Sequence, residues 1–229
     1  MKRVVLVTGA GGNLGRAVCK KFIDEGDLVK GLVRKHSVAP ASENSGYDEI
    51  IIDLLDEEQS QTVIGQIIKD NGRIDIAVLT AGGFAMGKIK STRTQDINDQ
   101  FRLNFETAYN VLRPVFTQMM EQGYGRIFLI GSKAGYNTSQ AKGVTAYALS
   151  KSLLFSLAEI LNAESKGTNV VSSVVVPGII DTPQNRSDMP DADFSHWVAP
   201  ADIAEIIYFY TSPPADGIRE PVIKVYGGL

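Results

Sequence analysis

Apolar residues along this chain gather into short continuous runs, and the stretches between them carry helical spacing. Val4-Val5-Leu6-Val7 is an almost wholly β-branched run, the mark of a strand buried on both faces. Comparable runs at 28–33, 49–52, 74–79, 126–130, 170–176 and 220–226 predict six further strands. Helices are predicted from the glycine-rich turn to about residue 25, over 56–70, over 96–122, from about 145 onward and over 200–211. Pro200 suits the first helical position, with Asp202 in the first turn. Residues 38–48, with Pro40, Ser42, Ser45 and Gly46, lack helical periodicity, so the second crossover is expected to have no helix. Strands alternating with helices predict right-handed crossovers and an α/β fold, a doubly wound parallel sheet of about seven strands. No repeat, linker or low-complexity tract interrupts it, which predicts a single domain over 1–229.

The chemistry is concentrated at the C-terminal ends of the predicted strands, where ligands bind such sheets. Thr8-Gly9-Ala10-Gly11-Gly12-Asn13-Leu14-Gly15 joins the first strand to a helix. Its glycines permit close backbone approach, and free N–H groups at the helix start face an anion, so the turn reads as a phosphate cradle. A tight turn without a ligand is the plainer alternative. The second strand ends in Arg34-Lys35-His36-Ser37, with two cations and no acid. In dinucleotide folds that pattern favours the 2′-phosphate, so NADP(H) is expected over NAD(H), which remains possible. Asp53, Thr80-Ala81-Gly82-Gly83, Ser132 and Pro177-Gly178 fall on the same rim. Tyr147 and Lys151 stand one helical turn apart on one face. An ammonium beside a phenol favours the phenolate, so the pair is a candidate tuned acid/base.

Composition removes several alternatives. The chain is 44% hydrophobic and 21% charged with a net charge of -3, which leaves no electrostatic footprint for nucleic acid or anionic lipid. The lone Cys19 excludes an internal disulfide and fits a reducing compartment. Four apolar residues between Arg3 and Thr8 are too few for a secretory segment, and no apolar run reaches the ~18 residues of a membrane span. A cytoplasmic location with no membrane partner is expected. His36 and His196 are the only histidines and have no partners for a metal site or a histidine triad.

Taken together, Thr8-Gly9-x-x-x-Asn13-x-Gly15, Asp53, Ala81-Gly82, Asn104, Ser132, Tyr147-x-x-x-Lys151 and Pro177-Gly178-x-x-x-Thr182 resemble the short-chain dehydrogenase/reductase family over essentially the full length. The resemblance implies a Rossmann-type domain and hydride transfer between nicotinamide and a small carbonyl, imine or quinonoid substrate. It implies that Tyr147 is the proton donor, that Ser132 binds the substrate oxygen, and that Lys151 lowers the Tyr147 pKa and binds the nicotinamide ribose. Asn104 would hold a water linking Lys151 to solvent. Gly9, Gly12, Asn13, Leu14 and Gly15 would line the pyrophosphate, and Asp53 would accept from the adenine amine beside Leu54. Ala81, Gly82, Pro177, Gly178, Ile180 and Thr182 would complete the cofactor site. Two departures stand out: Asn13 replaces the usual middle glycine, and Leu79-Thr80 replaces the usual Asn-Asn.

Residues 181–197, the shortened second crossover and Ala81-Gly82-Gly83 also resemble the dihydropteridine reductase branch, although Ser132 and Arg34 depart from it. Residues 183–198 are expected to form a lid, with Met189, Phe194 and Trp197 either touching a substrate ring or packing the lid down. The apolar residues of 153–161 cover roughly 220° of a helix at ~100° per residue, and the helix around Leu103 to Phe116 shows the same surplus. A subunit interface is the expected destination of these faces, and the family resemblance implies a homodimer or homotetramer built on the two helices. The rival from another class is a sensor or scaffold that binds NADP(H) without turnover.

Overall fold

The structure, a computed structural model, describes residues 2–35 and 46–228. Seven strands form one parallel sheet in the order β3-β2-β1-β4-β5-β6-β7. They are β1 (Val4–Thr8), β2 (Leu28–Val33), β3 (Tyr47–Ile51), β4 (Ile76–Leu79), β5 (Tyr124–Ile130), β6 (Asn169–Pro177) and β7 (Val222–Val225). All six pairings are parallel. β1 and β4 are buried at every position, which is why they read as continuous apolar runs. β3 is an edge strand with two of its five positions exposed and none fully buried, so its pattern is weaker. The expectation of a helix-free crossover at 38–48 lies largely outside the described residues, and so does His36.

Helices cover both faces. On one side α1 (Asn13–Asp24) and α8 (Pro200–Tyr210) pack with Val5, Val7, Phe22, Phe128 and Ile203 in the core. On the other, α2 (Glu57–Asn71), α4 (Thr107–Gln122) and α6 (Thr145–Glu164) pack over Leu6, Ala77, Ile127 and Leu129. The single helix predicted over 96–122 is broken. It comprises α3 (Thr94–Phe101), a π-helical turn over Arg102–Glu106, and then α4. The apolar spacing is compatible with helix throughout, so the wider turn leaves no mark on it. The short helices α5 (Lys133–Tyr136) and α7 (Pro183–Asp188) follow β5 and β6.

Candidate active site

Strand order sets the sequence of features along the rim. Asp53 follows β3, Arg34 follows β2, the glycine turn follows β1, Ala81-Gly82 follows β4, Ser132 follows β5 and Pro177-Gly178 ends β6. The chain changes direction between β1 and β4, which places the crevice there.

The turn after β1 is built by close packing. Gly9 has a φ of 63°, and a Cβ on Gly15 would lie 2.2 Å from the Gly9 carbonyl oxygen. Only glycine lets α1 start this near the strand. Gly12 precedes α1 in extended backbone, with no side chain capping the helix and no acid in its first turn. The first N–H groups thus stay open toward the rim, which fits an anionic pyrophosphate. Asn13 is the first residue of α1, and no described non-glycine residue has positive φ. Asparagine in place of the usual glycine therefore imposes no left-handed backbone. Leu14 turns into the core and offers the rim only its backbone. Ala10 N–H donates to the Leu32 carbonyl at 3.2 Å, tying the turn to β2 and the exposed Arg34 beyond it. Asp53 is exposed and accepts from Leu55 N–H at 3.0 Å, while the carbonyl of Leu54 accepts from Asn110 at 3.0 Å.

Thr80, the second departure, replaces the usual hydrogen bonding with its own. Its hydroxyl donates to the Thr8 carbonyl at 2.7 Å, and Thr8 Oγ1 accepts from Ala81 N–H at 3.1 Å. Gly82 then passes close to two site residues: a Cβ there would lie 2.6 Å from Asn104 Oδ1 and 3.3 Å from Lys151 Nζ. Asn104 sits in the π-helical turn and is buried. Its Nδ2 reaches the Gly83 carbonyl at 3.0 Å, Gln100 Oε1 at 3.1 Å and Ser150 Oγ at 3.1 Å. Protein acceptors thus engage the amide protons, and the side chain acts as a clamp on the β4 loop as well as a neighbour of Lys151.

Ser132 is the N-cap of α5, and its Oγ accepts from Gly135 N–H at 3.0 Å. Its own hydroxyl proton remains for another acceptor. Tyr147 and Lys151 lie on α6 facing this point. Lys151 is buried, donates to the Ile130 carbonyl at 2.7 Å, and burial pushes its pKa down to about 8. The expectation that Lys151 lowers the Tyr147 pKa is not met in this arrangement. Burial raises the Tyr147 phenol above its ordinary value, and a hydrogen bond with Ser132 opposes it only in part. The ammonium is turned toward the backbone of β5, and burial dominates both groups.

Pro177 ends β6, and Gly178 N–H donates to the Val225 carbonyl at 2.7 Å. Ile180 bridges Val198, and the Ile180 carbonyl accepts from Asn185 at 2.8 Å. Thr182 caps α7 by accepting from Asn185 N–H at 3.1 Å. Within 183–198, the Phe194 and Trp197 rings lie 4.6 Å apart and Arg186 covers Phe194 at 4.7 Å. These contacts are internal to the segment.

One residue beside the site was missed. Phe84 is 63% exposed, yet its ring meets the Tyr147 ring edge-on at 5.0 Å. It follows Gly83, whose N–H and carbonyl are both bonded to Asn104. The available signal was an aromatic directly after a glycine pair at a strand end. Ser150 and Gln100, which bond to Asn104, were also passed over, since single polar residues inside helices carry no pattern.

A model of the short chain dehydrogenase family matches residues 3–193. The 3-oxoacyl-(acyl-carrier-protein) reductase FabG of Thermotoga maritima is 26% identical over 242 residues, covering 99% of this chain and 97% of the relative. The 2,3-dihydro-2,3-dihydroxybenzoate dehydrogenase of Escherichia coli is 30% identical over 183 residues, covering 80% of this chain and 71% of the relative. A solved structure of ElxO with NADP bound shares the fold at a TM-score of 0.88, with 24% identity, covering 100% of this chain and 98% of that one. With the rim, the Ser132–Tyr147–Lys151 grouping and the match across most of its length, this chain belongs to the short-chain dehydrogenase family and is an NAD(P)-dependent oxidoreductase of that type.

Proposed function

We propose that this oxidoreductase reduces a small, flat, apolar carbonyl or quinonoid compound at the expense of NADPH, with Tyr147 as the proton donor. The observation that carries the reading is Phe84, an open aromatic face held beside the Tyr147 ring. A planar substrate laid on Phe84 would bring its oxygen to the phenol. Because burial raises the Tyr147 pKa, the phenol is protonated at neutral pH and poised to give a proton rather than take one.

A bound nicotinamide cofactor would supply the hydride. Tyr147 gives its proton to the substrate oxygen as negative charge develops there. Ser132, whose acceptor side is occupied by Gly135 N–H, turns its O–H to the same oxygen and holds it in line. Lys151, buried and anchored on the Ile130 carbonyl, would hold the nicotinamide ribose beside the phenol. The open N–H groups of α1 hold the pyrophosphate, and Arg34 meets the 2′-phosphate, which favours NADP(H) while leaving NAD(H) usable.

A dihydropteridine reductase proper is the narrower form of this reading. A planar pterin suits Phe84, and residues 181–197 and Ala81-Gly82-Gly83 are its sequence support. The same reading includes a homodimer or homotetramer, since Tyr109 is 42% exposed on α4 and Leu153 and Ile160 are 39% and 54% exposed on α6. It also includes a cytoplasmic location. Among the described residues, no helix is long and apolar enough to cross a membrane.

The test is NADPH and NADH oxidation against quinonoid dihydropterin, quinones, aldehydes and ketones. Preferential turnover of planar substrates with NADPH is expected. Tight NADPH binding with no turnover of any of them would favour the sensor or scaffold instead.

A further inference from the structure

We infer that a crossed pair of cation–π contacts between α5 and β7 sets the position of the Ser132 hydroxyl, making Lys133, Tyr136, Lys224 and Tyr226 positioning residues for the reaction. The inference rests on the proposed role of Ser132. A single helical turn cannot hold its own orientation, because nucleation fixes several dihedrals for one hydrogen bond. α5 is only four residues long, and Ser132 is its cap. Something outside must therefore fix it.

On one flank α5 sits directly on α6. A Cβ on Gly135 would lie 2.7 Å from Lys151 Cβ, and the Tyr136 ring lies 5.6 Å from Phe155. On the other flank it reaches the last strand. Lys133 Nζ stands 4.3 Å from the centre of the Tyr226 ring, and Lys224 Nζ stands 4.5 Å from the centre of the Tyr136 ring. Both distances are within the ~6 Å over which a ring face attracts a cation. α5 contributes Lys133 and Tyr136, and β7 with the residue after it contributes Lys224 and Tyr226, so a rotation of α5 breaks both contacts at once.

The geometric link to chemistry is short. Lys133 is adjacent to Ser132, and the Gly135 N–H that occupies Ser132 Oγ belongs to the same turn. Loosening α5 moves that N–H, and the Ser132 O–H loses its fixed direction toward the substrate oxygen. Tyr226 also adjoins the turn after β6, since Gly178 would meet the Tyr226 carbonyl oxygen at 2.8 Å if it bore a Cβ.

The experiment uses the full chain and the variants Lys133→Met, Lys133→Arg, Tyr226→Leu and Lys133→Met/Tyr226→Leu. The first readout is hydrogen exchange at the Gly135 amide by NMR, which needs no turnover. Lys133→Met is expected to speed exchange about threefold to fivefold, the scale of one exposed cation–π contact. Lys133→Arg should restore protection, and the double variant should be no worse than Lys133→Met alone. The second readout is steady-state reduction of 9,10-phenanthrenequinone with NADPH, in which kcat should fall while the NADPH Kd stays constant. Unchanged Gly135 exchange in Lys133→Met, or losses that add in the double variant, would overturn the clasp. Altered exchange with unchanged kcat would keep the clasp as a structural contact and overturn its positioning role for Ser132. Should Tyr226→Leu fail to fold, the Lys224→Met and Lys224→Arg pair on the exposed strand edge decides the matter by the same two readouts.

Discussion

Asn104 grips Gly83 from both sides: Gly83 N–H donates to Asn104 Oδ1 at 3.0 Å, and Asn104 Nδ2 donates to the Gly83 carbonyl at 3.0 Å. The amide therefore behaves like a piece of backbone, pairing a loop that has no strand partner there. Asn104→Ala leaves both half-buried Gly83 groups without this partner. A loss of about 1–3 kcal/mol is expected in urea unfolding. Faster amide hydrogen exchange at Gly83 and Phe84 should report a looser loop, and a variant as stable as the parent would count against the clamp.

Tyr147→Phe removes the proton donor and little else. Turnover should fall by roughly 10²–10⁴-fold. NADPH titration should give an affinity close to that of the parent. Retained turnover, or lost binding, would take Tyr147 out of the role.

Lys151 carries a pH signature of known sign. Its pKa in the fold is about 8 against an unperturbed 10.5, so between these values the unfolded chain binds the extra proton. Its contribution to stability thus rises with pH from about 8 to 10.5, and below 8 the full cost of the buried charge is present. The total is at most about 3 kcal/mol, to be read as the difference between parent and Lys151→Met in denaturant midpoints across that range. Turnover should decline through the same lower value, as the ammonium that would hold the nicotinamide ribose is lost. A pH-independent difference would contradict the assignment.

Arg34→Ala should weaken NADPH binding much more than NADH binding, because only the former carries the 2′-phosphate. Calorimetric titrations with each cofactor distinguish this from a side chain that merely sits in solvent, which would give equal and small losses.

Phe84→Ala should raise KM for planar substrates by about 2–10-fold, the worth of one aromatic pairing, and leave NADPH affinity alone. Aliphatic ketones of similar size should be affected less. Equal effects on both classes would argue that Phe84 only packs against Tyr147.

Much of this was legible in the chain itself. Apolar runs such as Val4 to Val7 specify fully buried strands, and parallel strands must all point the same way, so every strand end from Asp53 to Pro177 lands on one rim. Helical spacing places Tyr147 and Lys151 on one face before any fold is known. These are local rules, carried by neighbours in sequence. What only tertiary structure decided depends on groups far apart in the chain. The π-helical turn at Asn104 leaves the spacing helical, yet it turns the amide onto Gly83, 21 residues away. The Lys151 ammonium is directed by the Ile130 carbonyl and by burial, so its neighbour's pKa rises where the isolated pair predicted a fall. Phe84 becomes part of the site only because Asn104 holds the residue before it. Periodicity encodes which face a side chain takes; its partner across the crevice is set when the layers close and desolvation outweighs pairwise attraction.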